Sequence, residues 1–241
     1  MILLRRLLLI IACAAGALGC PAQTIGTEAL RCADLLFVAP WQGNAITAVT
    51  QGYDNLGIDH VAMCLNTKKD TIRILESVPE KGVRTLPLDS FITLHREDVI
   101  VVGRINMPFD TAATLQHALD YCGQAYDSLY LPDNEAVYCS ELVLNSYVDS
   151  LGQPLFSPIG MTFRTTEGNI APYWQQLYAR HGMDVPEGKP GSNPGELSRR
   201  QQIVILGMLQ TEKRHPTIPT PTHCEKNCCC HKRQSPSERG R

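Results

Sequence analysis

Short apolar runs and alternating segments dominate the first part of the chain, and helical spacing takes over beyond residue 110. Residues 33–38 (ADLLFV) form an unbroken apolar run, the pattern of a buried strand. Residues 58–65 alternate, with His60, Ala62 and Cys64 on one face and Val61, Met63 and Leu65 on the other. Polar residues at 66–70 supply a turn, so 71–78 reads as the second strand of a hairpin. Residues 83–88 are extended and end beside Pro87, and 99–105 (VIVVGRI) make a further strand.

Helical periodicity over 110–123 aligns Ala113, Leu115, Ala118, Leu119 and Cys122 as a buried stripe, with Asp110 placed to cap the N-terminus. Residues 126–135 are polar and loop-like. A second helix is predicted over 138–151, with Leu142, Val143, Tyr147 and Leu151 on its apolar side and Gly152 as its stop. Residues 173–181 add a short helix. The composition then shifts: Pro186, Pro190 and Pro194 interleave with Gly188, Gly191 and Gly195, a linker signature, before one further helix expected over 197–210. Beyond Thr211 come Pro216, Pro219 and Pro221, a Cys/His cluster and a basic end, predicted to be largely disordered.

Three segments follow from this pattern: 1–22 as a leader, 23–183 as one folded domain, and 184–241 as a Pro/Gly linker with a Cys/His-containing basic tail. The leader has two arginines at its start, an apolar run over 7–17, and small residues up to Cys20, the order of a secretory signal peptide. The run is short for a helix spanning ~30 Å of hydrocarbon. Two cleavage readings stay open. Ala17-Leu18-Gly19-Cys20 is a lipobox-like end that would place a lipid on Cys20, and Cys20-Pro21-Ala22 before Gln23 suits ordinary signal peptidase. Either one predicts an exported protein of the bacterial cell envelope, in the periplasm or anchored to the membrane as a lipoprotein.

With 19% charged and 44% hydrophobic residues and a formal charge of −2, the chain suits a soluble domain. Residues 211–241 hold seven Lys/Arg against three Asp/Glu, so the body is acidic and offers no broad basic surface for nucleic acid. Cys32, Cys64, Cys122 and Cys139 in the body do not space as a disulfide framework, which leaves a body cysteine free to react. His223, Cys224, Cys228, Cys229, Cys230 and His231 are soft-metal ligand types but lack paired spacing, so no metal site and no cofactor are expected.

Covalent cleavage of an amide or ester needs a nucleophile, a base within hydrogen-bond reach and a group that orients the base. Tyr138-Cys139-Ser140-Glu141 stands where a polar loop gives way to a helix, so Cys139 would meet the positive end of a helix dipole and nearby backbone N–H groups. His60 and Glu76 sit on consecutive strands and come side by side if the hairpin register allows it. Spacing alone leaves the ordinary readings open: a core cysteine, a satisfied histidine and an exposed carboxylate. His95, His117 and His181 show no partner pattern and read as surface residues.

In chain order, Ala33-Asp34-Leu35-Leu36-Phe37, Asp59-His60-Val61-Ala62, Ile74-Leu75-Glu76-Ser77, Gly82-Val83, Leu86-Pro87-Leu88, Tyr126-Asp127 and Tyr138-Cys139-Ser140-Glu141-Leu142-Val143 resemble the YiiX-like branch of the circularly permuted papain-like (NlpC-type) superfamily. The resemblance spans roughly residues 32–150. It departs at Asp59, where Ser is usual, and at Gln124-Ala125, where a Gly-Lys-Pro flavour is usual. The acidic Asp59 is expected to raise the pKa of His60. The resemblance implies an α+β fold, with a small, mainly antiparallel sheet, open or curled into a barrel, packed against helices. It also implies Cys139 as nucleophile, His60 as base and Glu76 as orienter.

That resemblance together with export predicts a cysteine peptidase or amidase acting on peptides, above all peptidoglycan fragments. Asp34, Tyr138 and Glu141 are candidate substrate contacts, and Cys20 is a candidate membrane anchor. Two rivals stand beside it: a thiol acyltransferase or lipid esterase of the lecithin–retinol acyltransferase-like type, and an envelope binding protein without turnover. An apolar groove beside Cys139 would favour the first rival. A wide separation of Cys139 from His60 would favour the second.

Overall fold

Packed layers cover both faces of one sheet, and for that reason its central strands are apolar at every position rather than at alternate ones. The computed structural model describes residues 23–66, 72–132 and 134–211. Its strands and helices follow in the order β1 (Thr24–Ile25), β2 (Leu35–Ala39), β3 (His60–Asn66), β4 (Arg73–Val78), β5 (Gly82–Pro87), α1 (Leu88–Leu94), β6 (Val99–Ile105) and α2 (Thr111–Asp120). They continue with α3 (Cys139–Ser146), β7 (Ile159–Gly160), α4 (Pro172–Arg180), β8 (Pro190–Gly191), α5 (Pro194–Leu197) and β9 (Ile203–Leu209).

Among the described residues the main sheet runs β1-β9-β6-β2-β3-β4-β5, antiparallel except for the β1–β9 pair. It is an open sheet with β1 and β5 at its edges, not a closed barrel. Leu35 and Phe37 of β2, Val61 and Met63 of β3 and Leu75 of β4 share a core with Cys139, Leu142 and Val143 of α3. The alternate residues Leu36, Val38, Ala62, Cys64 and Ile74 pack on the opposite face against Leu88 and Phe91 of α1. Burial of a side chain the size of Phe91 contributes about 1.5–3 kcal/mol. A polar residue in the middle of β2 would therefore break one layer or the other.

The α2 N-terminus is capped by Asp110, whose Oδ1 accepts the Ala113 N–H at 2.9 Å. Its stripe is rotated from the expected one: Thr114 and Ala118 are buried, with Leu115 and Tyr121 partly so, whereas Leu119 and Cys122 are exposed. α3 is shorter than its periodicity predicts. Tyr147 leaves the helix in an extended conformation (φ −78, ψ 125), and its hydroxyl donates to the Ala33 carbonyl at 2.6 Å. This tie to the start of β2 ends the helix before Gly152 is reached.

The reading of 184–210 needs correction. Residues 203–209 form a strand that fills the sheet position between β1 and β6, pairing Ile105 with Ile203 and Val101 with Met208. The β-branched run Ile203-Val204-Ile205 suits a strand, but the vacant edge of β6 that selects it is a tertiary fact. Gly207 lets the Gln23 carbonyl come so close that a Cβ there would overlap it. The Pro/Gly stretch is likewise built in. β8 pairs with β7, and Asn193 caps α5 through the Glu196 N–H at 2.6 Å while accepting the Thr50 hydroxyl at 2.8 Å. No described helix is long and apolar enough to cross a membrane. The predicted leader (1–22), Cys20 and the tail from 212 onward lie outside the described residues.

Candidate active site

Cys139 is the first residue of α3, and the Tyr138 backbone N–H just before it is held by the Glu141 carboxylate at 3.4 Å. Leu142 and Val143, one turn on, bury against the β3–β4 face. A second tie fixes the approach: the Ser77 hydroxyl on β4 donates to the Val137 carbonyl at 2.6 Å. The helix N-terminus is thereby stitched to the hairpin that carries His60 and Glu76.

His60 opens β3 opposite Val38 of β2. β3 and β4 pair Met63 with Leu75, and continuing that register sets Glu76 one diagonal from His60, within reach of a long side chain. The His60 Nε2 to Glu76 Oε2 distance is 3.0 Å, and Glu76 is 1% exposed. Arg84 stands directly opposite Glu76 in the β4–β5 ladder and donates to its Oε1 through Nη2 at 2.7 Å and Nε at 2.9 Å. Both carboxylate oxygens are thus engaged, and Oε2 accepts the Nε2 proton of His60. The Cys139 side chain hydrogen-bonds the same imidazole, which leaves Nδ1 as the ring nitrogen for the thiol.

Electrostatics follow from these contacts. Burial alone would lower the pKa of His60, but the hydrogen bonds to Cys139 and Glu76 and the charges of both groups outweigh it, and the imidazole is raised to about 10. For Glu76, burial pushes the pKa up, and the bonds and charges of His60 and Arg84 bring it below its ordinary value. Asp59 was expected to drive the His60 shift. Its carboxylate is instead taken up by the Asn44 amide, and burial raises its own pKa. The groups that raise His60 against its burial are Cys139 and Glu76.

Beside the thiol lie Tyr126 and Tyr130, with hydroxyls 3.0 Å apart. Burial first, and then the charge of Cys139, pushes the Tyr126 phenol up. The Tyr130 phenol is pushed up as well, chiefly by burial. Both remain hydroxyl donors. Tyr126 was present in the sequence only as part of a motif, and Tyr130 carried no signal.

A cleft adjoins Cys139. Its walls are mainly apolar and aromatic, among them Val49, Tyr130, Met161, Phe163, Trp174 and Pro194. Phe163 and Trp174 come from a separate small core around Tyr178, with Trp174 and Tyr178 on α4, the helix expected over 173–181. Asp59 is the carboxylate on the lining. The hydroxyls of Ser140 and Ser192, also on it, are buried and have no protein hydrogen-bond partner.

Of the candidate substrate contacts, only Tyr138 lines this cleft, and its hydroxyl already accepts the Ser192 N–H at 3.0 Å. Gly191 lies so near that a Cβ would meet the Tyr138 hydroxyl at 2.8 Å and the Met161 side chain at 2.6 Å. Asp34 is 1% exposed and bound by Arg104 through Nε and Nη2, both at 2.7 Å, and by the Arg31 N–H, also at 2.7 Å. It is a structural anchor, and neither it nor Glu141 lines the cleft. Cys32, Cys64 and Cys122 are free thiols, as is Cys139.

His95 is no isolated surface histidine. It stacks on His60 with ring centroids 5.9 Å apart and planes at 20°, and its Nδ1 bonds the Asp98 carboxylate at 2.9 Å. His60, Glu76 and His95 each offer one ligand atom, all within 4.8 Å of one another. Two imidazoles and a carboxylate are a donor set suited to a borderline cation such as Zn²⁺, and such an ion fits these residues although no metal site was expected.

A cysteine at a helix N-terminus, a histidine shared between it and a buried carboxylate, and strands that precede the helix in the chain define a circularly permuted papain-like thiol hydrolase. Residues 42–167, more than half of the chain, match the family described as permuted papain-like amidase enzyme, YaeF/YiiX, C92 family. The chain belongs to that family, a cysteine peptidase/amidase family. Among solved structures, the crystal structure of metalloprotein yiiX from Escherichia coli O157:H7 is similar, with a TM-score of 0.59 at 20% identity, covering 73% of this chain and 96% of that one. That likeness is one of fold. No curated protein matches the chain.

Proposed function

We propose that Cys139, His60 and Glu76 act as nucleophile, base and orienter of a thiol amidase. The observation that carries this reading is one imidazole hydrogen-bonded at once to the Cys139 thiol and the Glu76 carboxylate. The Cys139 sulfur attacks the substrate carbonyl as its proton passes to His60. The oxyanion gathers at the N–H groups of the α3 N-terminus, with the Tyr126–Tyr130 hydroxyls alongside. The imidazolium then protonates the leaving amine, the C–N bond breaks and a thioester remains. Water, deprotonated by His60, attacks the thioester and releases a carboxylic acid and the free thiol. The close Cys139–His60 contact argues against a binding protein without turnover.

Export to the cell envelope is supported by the basic, apolar and small-residue order of residues 1–20. Export and family together keep peptidoglycan peptides as one substrate class. The cleft favours a second class: its walls suit an apolar acyl group better than charged peptide stems, and its one carboxylate is already engaged by Asn44. An amide or ester with an apolar acyl chain is therefore the substrate the cleft fits best.

The test is to trap the acyl-enzyme. Wild type and Cys139→Ser are incubated with p-nitrophenyl esters of increasing acyl length and with peptidoglycan tripeptide fragments, and intact mass and released product are read. Acyl mass on Cys139 that rises with chain length supports the apolar-acyl class. Cleavage of the fragments alone returns the assignment to cell-wall peptides. No adduct and no turnover in either panel would overturn the catalytic reading.

A further inference from the structure

We propose that His60, Glu76 and His95 form an inhibitory site for a divalent cation of the zinc type, superimposed on the catalytic base. Three observations on this chain carry it. The first is the proximity of the donors: the three ligand atoms lie within 4.8 Å of one another. Donors of a tetrahedral Zn²⁺ ion at ~2.0–2.2 Å stand about 3.3 Å apart. The His60–Glu76 pair, now 3.0 Å apart, therefore opens by only a few tenths of an ångström when a cation replaces the shared proton. His95 has the larger distance to close.

The second observation is the preparation of His95. Its Nδ1 is held by Asp98 Oδ2 at 2.9 Å, which leaves Nε2 as the free donor. Asp98 is fixed in turn, its Oδ1 accepting the Trp41 N–H at 3.0 Å. A carboxylate on the far nitrogen of a histidine is the arrangement that fixes the tautomer of a metal-ligating imidazole and raises its basicity. Nothing in the thiol chemistry calls for it, because His95 is not bonded to Cys139 or to Glu76.

The third is charge. Glu76, Asp59 and Asp98 surround the two imidazoles, and Arg84 occupies only Glu76 Oε1, so Oε2 remains on the side of the ring nitrogens. Against the cation stand Arg84 itself and the proton His60 must release.

A cation on Nε2 replaces the proton that Glu76 accepts and opposes a second positive charge on the ring, so His60 can no longer take up the Cys139 proton. Occupancy and catalysis exclude each other. The inhibitory half of the proposal rests on His60 being the base, whereas the binding half does not.

Binding is measured first, on the full chain carrying Cys139→Ser with its remaining accessible thiols alkylated, so that neither the nucleophile nor the tail cysteines supply sulfur. Co²⁺ is titrated and its ligand-field spectrum recorded, and Zn²⁺ affinity is obtained by competition. One ion per chain is expected, with no sulfur-to-cobalt charge-transfer band. Affinity should fall at least ~tenfold in His95→Ala and by ~10–100-fold in Asp98→Asn, which keeps the acceptor for Trp41. Unchanged affinity in both variants, or absence of binding in the parent, overturns the site. The inhibitory half is read in the protein with Cys139 intact, as the zinc dependence of Cys139 alkylation before and after chelation. If the ion binds through His95 yet leaves the alkylation rate untouched, the assignment of His60 as base fails while the site stands.

Discussion

Glu76→Gln removes one charge and keeps the shape, and the surrounding geometry dictates which way the new amide faces. Arg84 donates two hydrogen bonds to Oε1, so the Gln carbonyl oxygen must take that place. The amide NH₂ then points at His60 Nε2, where a carboxylate oxygen now sits at 3.0 Å. Nε2 becomes an acceptor, the ring proton moves to Nδ1, and the imidazole faces the Cys139 thiol with a proton where it should have a lone pair. The analogous carboxylate-to-amide change in the serine triad lowers turnover by ~10⁴ through the same tautomer reversal. A comparable loss, about 5.5 kcal/mol of transition-state stabilisation, is expected here.

Folding stability should fall by about 2–3 kcal/mol, because a buried acceptor of charged donors is neutralised. The assays are kcat/KM on an activated acyl ester, the rate of Cys139 alkylation, and chemical denaturation. A second substitution sharpens the test. In Glu76→Gln/Arg84→Met the amide is free to flip and offer its carbonyl to Nε2, so activity should recover by ~tenfold, a coupling of about 1.4 kcal/mol. A single variant within ~tenfold of wild type, or a double variant no better than the single, refutes the tautomer argument.

Three further outcomes are expected. Iodoacetamide near neutral pH should label Cys139 and spare Cys64, whose thiol is pushed up to about 12 by burial and by the charges of Asp34 and Cys32; peptide mapping decides, and equal labelling would sink the assignment. Asp34→Asn should cost about 3 kcal/mol of stability by stranding Arg104 while leaving KM unchanged in the folded protein. A raised KM with an unaltered melting point would instead make Asp34 a substrate contact. Because the folded-state pKa of His60, about 10, lies above its ordinary value of 6.5, its contribution to stability is full below pH 6.5 and lost as pH climbs through 10. In chelator, the fall in melting temperature over that window should be smaller in His60→Gln than in wild type.

Much of the site was legible because local chemistry advertises it. Alternation over residues 58–65 placed His60 on the Ala62–Cys64 face of β3, and the polar-to-helical switch at Tyr138 placed Cys139 at a helix start. Asp110 announced its cap, and the strand at 99–105 was read at its observed limits. These signals are short-range, since a period of two residues, a cap or a turn is decided by neighbours in the chain.

What only the tertiary structure decided depends on partners far apart in sequence. The stretch 203–209 is a strand because the edge of β6 and the passing Gln23 carbonyl complete its hydrogen bonds, and no local preference encodes that vacancy. Arg84 meets Glu76 through the β4–β5 register, His95 meets His60 because α1 folds back over the hairpin, and Asp34 is consumed by Arg104 across the sheet. The sequence by itself therefore determined which residue types could do thiol chemistry and on which kind of element each sits. The pairing of strands decided which carboxylate meets His60, which one is taken up by Arg104, and that an apolar cleft adjoins Cys139. Register and side-chain contact are properties of the assembled sheet, and a one-residue slip would exchange the face on which each of these groups lies.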